Sequence, residues 1–345
     1  RAEYEEIMKL IAYLKELLAS KEMRMQVIKD ELVEVRDKYG DERRSQIEYS
    51  GGDVSIEDLI ADESVVITIS HAGYIKRTSL SEYKTQNRGG VGQKSAGTRD
   101  QDFLEHLFVA TNHQYLMFFT QKGKCYWMRV YEIPEGTKAS KGRAIQNLIN
   151  IEQDDKVKAF ICTQDLKDQD YINSHYVIMA TKQGQVKKTP LEQYSRPRQN
   201  GINAITIKED DELIGAKLTT GNSQVLIAVK SGKLVRFEEE KTRPMGRTAS
   251  GVRGITLADE KDEVIGLVSI DKDHVNDSQL LVVTENGYGK RTKLVDEDGE
   301  DVYRITNRGG KGVKTLNITE KTGQLISIND VTDEDDLMII NKSGL

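Results

Sequence analysis

Val65-Val66-Ile67-Thr68-Ile69, a turn at Gly73, then Ile75-Lys76-Arg77-Thr78: this apolar run, glycine turn and basic run decides the fold, because the chain repeats it. An unbroken apolar run suits an inner strand buried on both faces, and glycine supplies the positive φ of a tight hairpin turn. The outgoing run alternates, which places its charges on exposed positions. The unit returns as Leu116 to Thr120 before Gly123, as Tyr176 to Thr181 before Gly184 and Val186-Lys187-Lys188-Thr189, and as Val225 to Val229 before Gly232, with Lys233 and Arg236 beyond it. Leu280 to Thr284 then precedes Gly287 and Lys290-Arg291-Thr292, and Leu337 to Asn341 precedes Gly344. The turn glycines are spaced by 50, 61, 48, 55 and 57 residues. That is the scale of one propeller blade.

A glycine-containing basic loop follows each hairpin: Asn87-Arg88-Gly89-Gly90-Val91-Gly92, Lys141-Gly142-Arg143, Arg198-Gln199-Asn200-Gly201, Gly251-Val252-Arg253-Gly254 and Asn307-Arg308-Gly309-Gly310-Lys311-Gly312. A further strand comes next, as in Ile202 to Ile207 or Val252 to Leu257, and an acidic turn such as Asp210-Asp211-Glu212 leads into another apolar strand. Four strands per unit predict an all-β fold of about six four-stranded blades packed face to face, a propeller-like disc over residues 62–345. The sixth unit stops at Leu345, which would leave an unpaired edge, so the chain is expected to be a fragment.

Residues 1–45 carry a different period. Tyr4, Ile7, Ile11, Leu14 and Leu18, then Met25, Ile28, Leu32, Val35 and Tyr39, recur in steps of three and four, the apolar stripe of a helical, coiled-coil-like connector. Ser20 is placed to cap a second helix. Residues 46–61, with Ser50-Gly51-Gly52, read as a linker.

Several chemistries are excluded. No run of about 18 apolar residues exists to cross a membrane, and Arg1 to Glu6 carry no signal-peptide pattern. Cys125 and Cys162 are too few for a disulfide framework, which favours a reducing cytoplasm. Five histidines show no metal-ligand spacing, and no phosphate loop or nucleophile elbow is present. Cys125, Tyr126 and Trp127 read as packing residues. No catalytic residue, metal or cofactor is expected of this chain.

Charge segregation carries the functional signal. The net charge of −6 excludes a globally basic nucleic-acid binder. Yet the five stretches from each hairpin turn to its basic loop (71–99, 120–143, 181–200, 229–253 and 284–314) hold 31 lysines and arginines against 13 acids, a surplus of +18. The rest of residues 46–345 carries −23. Repeats place the same element at the same radius, so the basic hairpins and loops predict a belt that tracks the phosphates of a nucleic acid without reading bases. Candidate contacts on outgoing runs are Lys76, Arg77, Lys187, Lys188, Lys233, Arg236, Lys290 and Arg291; in the loops they are Lys94, Lys141, Arg143, Arg198, Arg253, Arg308 and Lys311. Lysines that merely keep outer strands soluble would account for scattered charge but not for this division.

Gln86-Asn87-Arg88-Gly89-Gly90-Val91-Gly92 resembles the heptapeptide Q-R-R-G-G-K/R-G of the DNA gyrase A subunit family, in the context Ser70-His71-Ala72-Gly73-Tyr74-Ile75-Lys76-Arg77 and Leu80-Ser81-Glu82-Tyr83. The stretch from Glu31-Leu32 to Tyr39-Gly40-Asp41-Glu42-Arg43-Arg44 is similar to the family's link between cleavage core and C-terminal domain. The resemblance implies a β-pinwheel, a disc whose neighbouring blades exchange strands, and a rim around which DNA bends with a fixed hand, supporting negative supercoiling. It implies that Gln86, Arg88, Gly89, Gly90 and Gly92 form the box, with Arg88 on phosphate and the glycines admitting it to backbone amides. Asn87 and Val91 depart from the pattern and remove two positive charges. The implied partners are double-stranded DNA, the rest of a gyrase A dimer and the gyrase B subunit, in the bacterial cytoplasm at the nucleoid. The catalytic tyrosine, the ATPase and their ATP and Mg would lie in other parts of the enzyme. The A subunit of topoisomerase IV is the alternative within the class; a protein-binding propeller scaffold is the alternative outside it.

Overall fold

A computed structural model describes residues 1–42, 44–45, 56–83, 102–164 and 166–335. The chain divides between Ser55 and Ile56. In the first unit, helix α1 spans Ala2–Ala19 and helix α2 spans Lys21–Tyr39. Ser20 breaks them apart. Its backbone is extended (φ −101°, ψ 120°), and its Oγ accepts from the Met23 amide at 3.3 Å, satisfying one of the free donors that begin a helix. No residue of either helix is buried, and the apolar residues read as a stripe, Tyr4, Ile7, Ile11, Leu14 and Leu18 with Met25, Ile28, Leu32, Val35 and Tyr39, are exposed.

The second unit is a series of five antiparallel sheets. In the first, Leu104–Thr111, Ser64–Ser70, Tyr74–Ser79 and Arg143–Ala144 lie side by side in that order. The second has Val157–Thr163, Tyr115–Thr120, Lys124–Arg129 and Ile202–Asn203. The third has Leu213–Thr219, Tyr176–Thr181, Gln185–Pro190 and Val252–Arg253, and the fourth Val264–Asp271, Ser223–Val229, Lys233–Glu238 and Val313–Lys314. The fifth has three strands, Leu325–Val331, Gln279–Thr284 and Gly289–Lys293. Each complete sheet thus contains three strands of its own repeat and a two-residue strand donated by the next.

The strand exchange that the resemblance implied is present, and two readings made from the repeats alone change. The strand after each basic loop belongs to the preceding blade, and it is short because the chain then turns to the preceding hairpin: the Ala204 and Ile205 amides both donate to the Gly123 carbonyl, at 2.8 and 3.1 Å. Blade count is five rather than about six among the described residues; the sixth unit, opening at Leu337, lies outside them.

The hairpin glycines Gly73, Gly123, Gly184, Gly232 and Gly287 have φ between 79° and 84°, the left-handed region that a side chain disfavours. The acidic turns have a local task. Asp102, Asp155, Asp211 and Asp262 each accept, at 2.9 to 3.1 Å, from the amide that precedes a turn glycine (Ala72, Lys122, Gln183 and Ser231). Apolar inner strands pack blade against blade. Ile67, Leu116 and Phe118 share one core, Met117, Phe119, Val177 and Met179 the next, and Ile178, Val225 and Ile227 another.

Candidate nucleic-acid interface

The donated strands bring a basic loop onto the outgoing strand of each preceding blade. On the first blade, the Arg77 amide donates to the Pro134 carbonyl at 3.0 Å and the Gly136 amide to the Arg77 carbonyl at 2.9 Å. The same seam recurs on the third blade, where the Met245 amide donates to the Lys188 carbonyl, and on the fourth, where Thr306 donates to Arg236. Loop glycines make this approach possible. A Cβ on Gly142 (φ +76°) would lie 2.5 Å from the Ile75 carbonyl oxygen, and one on Gly251 (φ +90°) 2.6 Å from that of Val186.

Basic residues on the outgoing strands are not a uniform surface feature. Lys76, Lys187, Lys188 and Arg236 are buried, which corrects their assignment as direct contacts. Burying a charge requires partners, and each has them. Lys76 Nζ donates to the carbonyls of Thr137, Lys138 and Ser140 at 2.7 to 2.9 Å. Lys187 Nζ donates to those of Ala204 and Arg247 at 2.5 and 2.7 Å. Lys188 pairs with the buried Glu239 at 2.8 Å. Arg236 donates to Gln224, to the Leu294 and Tyr303 carbonyls and to Asp301. Arg77 is half-buried, tied to the Ile133 carbonyl, Asn112 and Glu135. The alternation read from sequence fails because the donated loop covers the face that would otherwise be solvent.

The fifth blade differs. Without a donated strand among the described residues, Lys290 and Arg291 are exposed, and Arg291 pairs with Asp333 at 3.0 Å. At the hairpin-turn end of the blades, lysines are neutralised. Lys122 binds Glu152 and Asp154, and a chain of ion pairs runs Lys158–Glu212–Lys182–Glu263–Lys230 at 3.2 to 3.9 Å. Carboxylate hydrogen bonds hold the Lys122 ammonium above its ordinary range, and its contact with Lys124 and Lys122 holds the Glu152 carboxyl down to about 2.

Loop cations remain. Lys141, Arg143, Arg198, Arg253 and Lys311 are exposed, and none pairs with a carboxylate among the described residues. Lys233 and Arg308 are half-buried; Arg308 donates to the Lys241 and Arg253 carbonyls at 2.9 and 3.2 Å. A concavity of about 390 Å³ at the fourth blade is lined by Arg236, Arg304, Asn307, Arg308 and Lys311. Arg196, Arg243, Arg304 and Lys314 are exposed in the same loops and were not singled out from sequence, although each lies within nine residues of a loop glycine that was. Gln86, Arg88, Gly89, Gly90, Gly92 and Lys94 lie outside the described residues. No cluster of three or more potential metal ligands occurs among the described residues, and no helix there is long and apolar enough to cross a membrane. Cys125 is buried and free, its thiol pushed well up by desolvation.

Blades that each borrow a last strand from the following repeat define a strand-exchanged β-propeller. The family model of the DNA gyrase C-terminal domain, β-propeller, matches residues 64–111, 114–164, 175–220, 224–271 and 278–332. The chain belongs to this family. Over all of its length it is 45% identical to the A subunit of DNA gyrase from Staphylococcus epidermidis and from Staphylococcus aureus, and it spans 37% of the length of those relatives. A solved DNA gyrase A C-terminal domain superposes with a TM-score of 0.64 at 26% identity, covering 79% of this chain and 84% of that one. The C-terminal domain of a DNA topoisomerase IV gives 0.59 at 27% identity over 79% of each.

Proposed function

We propose that this chain binds duplex DNA along its donated loops, bends it around successive blades with a fixed hand, and so supports negative supercoiling by a gyrase. The observation that carries the reading is the recurrence of exposed, carboxylate-free cations on equivalent loops of four consecutive blades: Lys141 and Arg143, Arg198, Arg253, and Lys311. Such cations exchange counterions for phosphates without reading bases. The turn-end lysines, already neutralised, take no part. On this reading Arg88 and the box glycines add a further contact. Strand cleavage, ATP and Mg belong to the rest of the gyrase A dimer and to the gyrase B subunit, in a bacterial cytoplasm. The topoisomerase IV alternative rests on a fold match at 27% identity, whereas the curated relatives are gyrase A subunits, which favours the latter. No observation favours a protein-binding scaffold.

Titration of duplexes of increasing length across salt tests this. Longer duplexes should bind more tightly, and alanines at Lys141, Arg143, Arg198, Arg253 and Lys311 should flatten the slope of log K against log salt by about 0.9 for each phosphate no longer neutralised. Equal affinity per site for short and long duplexes, or an unchanged slope, would sink the proposal.

A further inference from the structure

One position of each outgoing strand stands three residues after the turn glycine, and in the four blades with a donated strand among the described residues it lies beneath the donated loop. In blade order its occupants are Lys76, Tyr126, Lys187, Val235 and Lys290. The first four are buried. Lysine thus alternates with an uncharged residue from blade to blade. Where it is buried, its ammonium lies among backbone carbonyls and meets no carboxylate. Three carbonyls of the 137–140 turn converge on Lys76 Nζ, and these residues lie immediately before the exposed Lys141 and Arg143. Lys187 Nζ ties together two loops, through Ala204 of its own repeat and Arg247 of the next. Blade four has Val235 at this position, and there the buried Arg236 one residue on meets the Leu294 and Tyr303 carbonyls while Arg308 of the loop meets those of Lys241 and Arg253.

We infer that Lys76 and Lys187 are positioning residues for DNA binding: buried ammonium groups around which the donated loops fold, fixing where the loop cations stand without touching DNA themselves. The inference rests on the reading of those loops as DNA-facing. The Thr137 carbonyl also accepts the Ser140 amide and hydroxyl, and that of Ala204 the Tyr194 hydroxyl. The Lys138, Ser140 and Arg247 carbonyls have no donor besides the lysine among the described residues, and an acceptor left unmet away from water costs more than a hydrogen bond returns. Three acceptors around Lys76 use all three of its N–H bonds, so this site holds the charged form, although burial lowers its pKa and Glu82 offsets part of that. Two acceptors at Lys187 are met by the neutral amine as well. Burial, with Arg247 alongside, lowers its pKa to about 7. The other charged or titratable groups around Lys187 and its acceptors are Lys188 with Glu239, Tyr194, whose hydroxyl donates to the Ala204 carbonyl at 3.2 Å, and Cys125.

Lys76→Met and Lys187→Met in the full chain separate positioning from contact. Replacing a positioning residue lowers DNA affinity, by about tenfold, and leaves the salt slope unchanged, because every phosphate contact is kept. It also speeds amide exchange about tenfold in residues 137–143 or 247–253 while the hairpin strands keep their protection. A slope that falls by about one assigns direct contact, and unchanged loop exchange with unchanged affinity removes the role; either result overturns the inference. Should a methionine variant fail to fold, the wild-type chain still decides. The Lys76 ammonium protons should exchange slowly in an NMR spectrum at neutral pH and couple to the Thr137, Lys138 and Ser140 carbonyl carbons, and a freely exchanging ammonium would overturn it. Loop exchange and ammonium signals need no DNA. A wild-type chain that fails to bind DNA therefore removes the functional reading alone.

Discussion

Arg236→Met tests the division between structural and surface cations most severely. Arg236 lies 1% exposed, and the methionine replaces its stem but none of its donors. Its Nε and Nη2 meet Gln224 Oε1 at 2.8 and 2.5 Å, and Nη1 meets the Tyr303 carbonyl at 2.9 Å, the Leu294 carbonyl at 3.3 Å and Asp301 at 2.9 Å. Asp301 is 39% exposed and recovers water, so little of the cost arises there. The Leu294 carbonyl keeps the Val302 amide at 3.0 Å, but the buried Tyr303 carbonyl and Gln224 Oε1 would be left as two acceptors without donors. At about 1–3 kcal/mol for each stranded acceptor, less what relaxation recovers, the loss should be about 2–4 kcal/mol. These contacts join the fourth blade to the segment after the outgoing strand of the fifth, and repeat arrays lose stability locally. Native-state hydrogen exchange should therefore show the loss in residues 279–331, with the first two blades little changed. The DNA-binding salt slope, measured where the variant is folded, should not move. A loss under about 1 kcal/mol together with a slope reduced by about one would refute the argument and return Arg236 to the surface set.

Other consequences follow from the seam and from Lys187. Gly251→Ala would put a Cβ 2.6 Å from the Val186 carbonyl oxygen at φ +90°, so urea denaturation should register at least about 1–3 kcal/mol of destabilisation, and a neutral result would contradict the close approach. Burial lowers the Lys187 pKa from 10.5 to about 7, so between those pH values the unfolded chain holds a proton that the folded chain lacks. Stability should accordingly rise with pH across that window, by up to about 1.4 kcal/mol per unit from this group. Lys187→Met should reduce the rise, as read from midpoints in urea at about pH 7, 8 and 9; an unaltered pH dependence would argue against a buried amine that gives up its proton near pH 7.

Much of this was legible in the residues. Apolar run, glycine and outgoing strand identified the five hairpins of the described residues, because a buried inner strand and a positive φ each leave a local mark. Ser20 likewise announced the break between the helices. Strand exchange was harder. Ile202–Asn203 follows the third hairpin in sequence yet pairs with Lys124 and Cys125 of the second, and nothing local in a two-residue strand names its partner. For the same reason the outgoing cations were misjudged. Lys76 and Lys187 look like solvent-facing charges until a loop from the next repeat closes over them. Lys122, Lys182 and Lys230 counted toward the basic surplus, but acids supplied by other strands neutralise them. Total charge along the chain overstated the exposed basic surface, whereas the glycine loops marked cations that do stay exposed, Lys141, Arg143, Arg198, Arg253 and Lys311.

The central claim is that the loop cations of successive blades hold one DNA path of fixed hand. Relaxed closed-circular DNA, incubated with increasing amounts of this chain and then treated with a nicking-closing topoisomerase, reports that path as a change in linking number. The account predicts a shift of one sign that grows with protein and largely disappears when Lys141, Arg143, Arg198, Arg253 and Lys311 are replaced by alanine. A linking number that stays at its protein-free value while the chain is bound would contradict it.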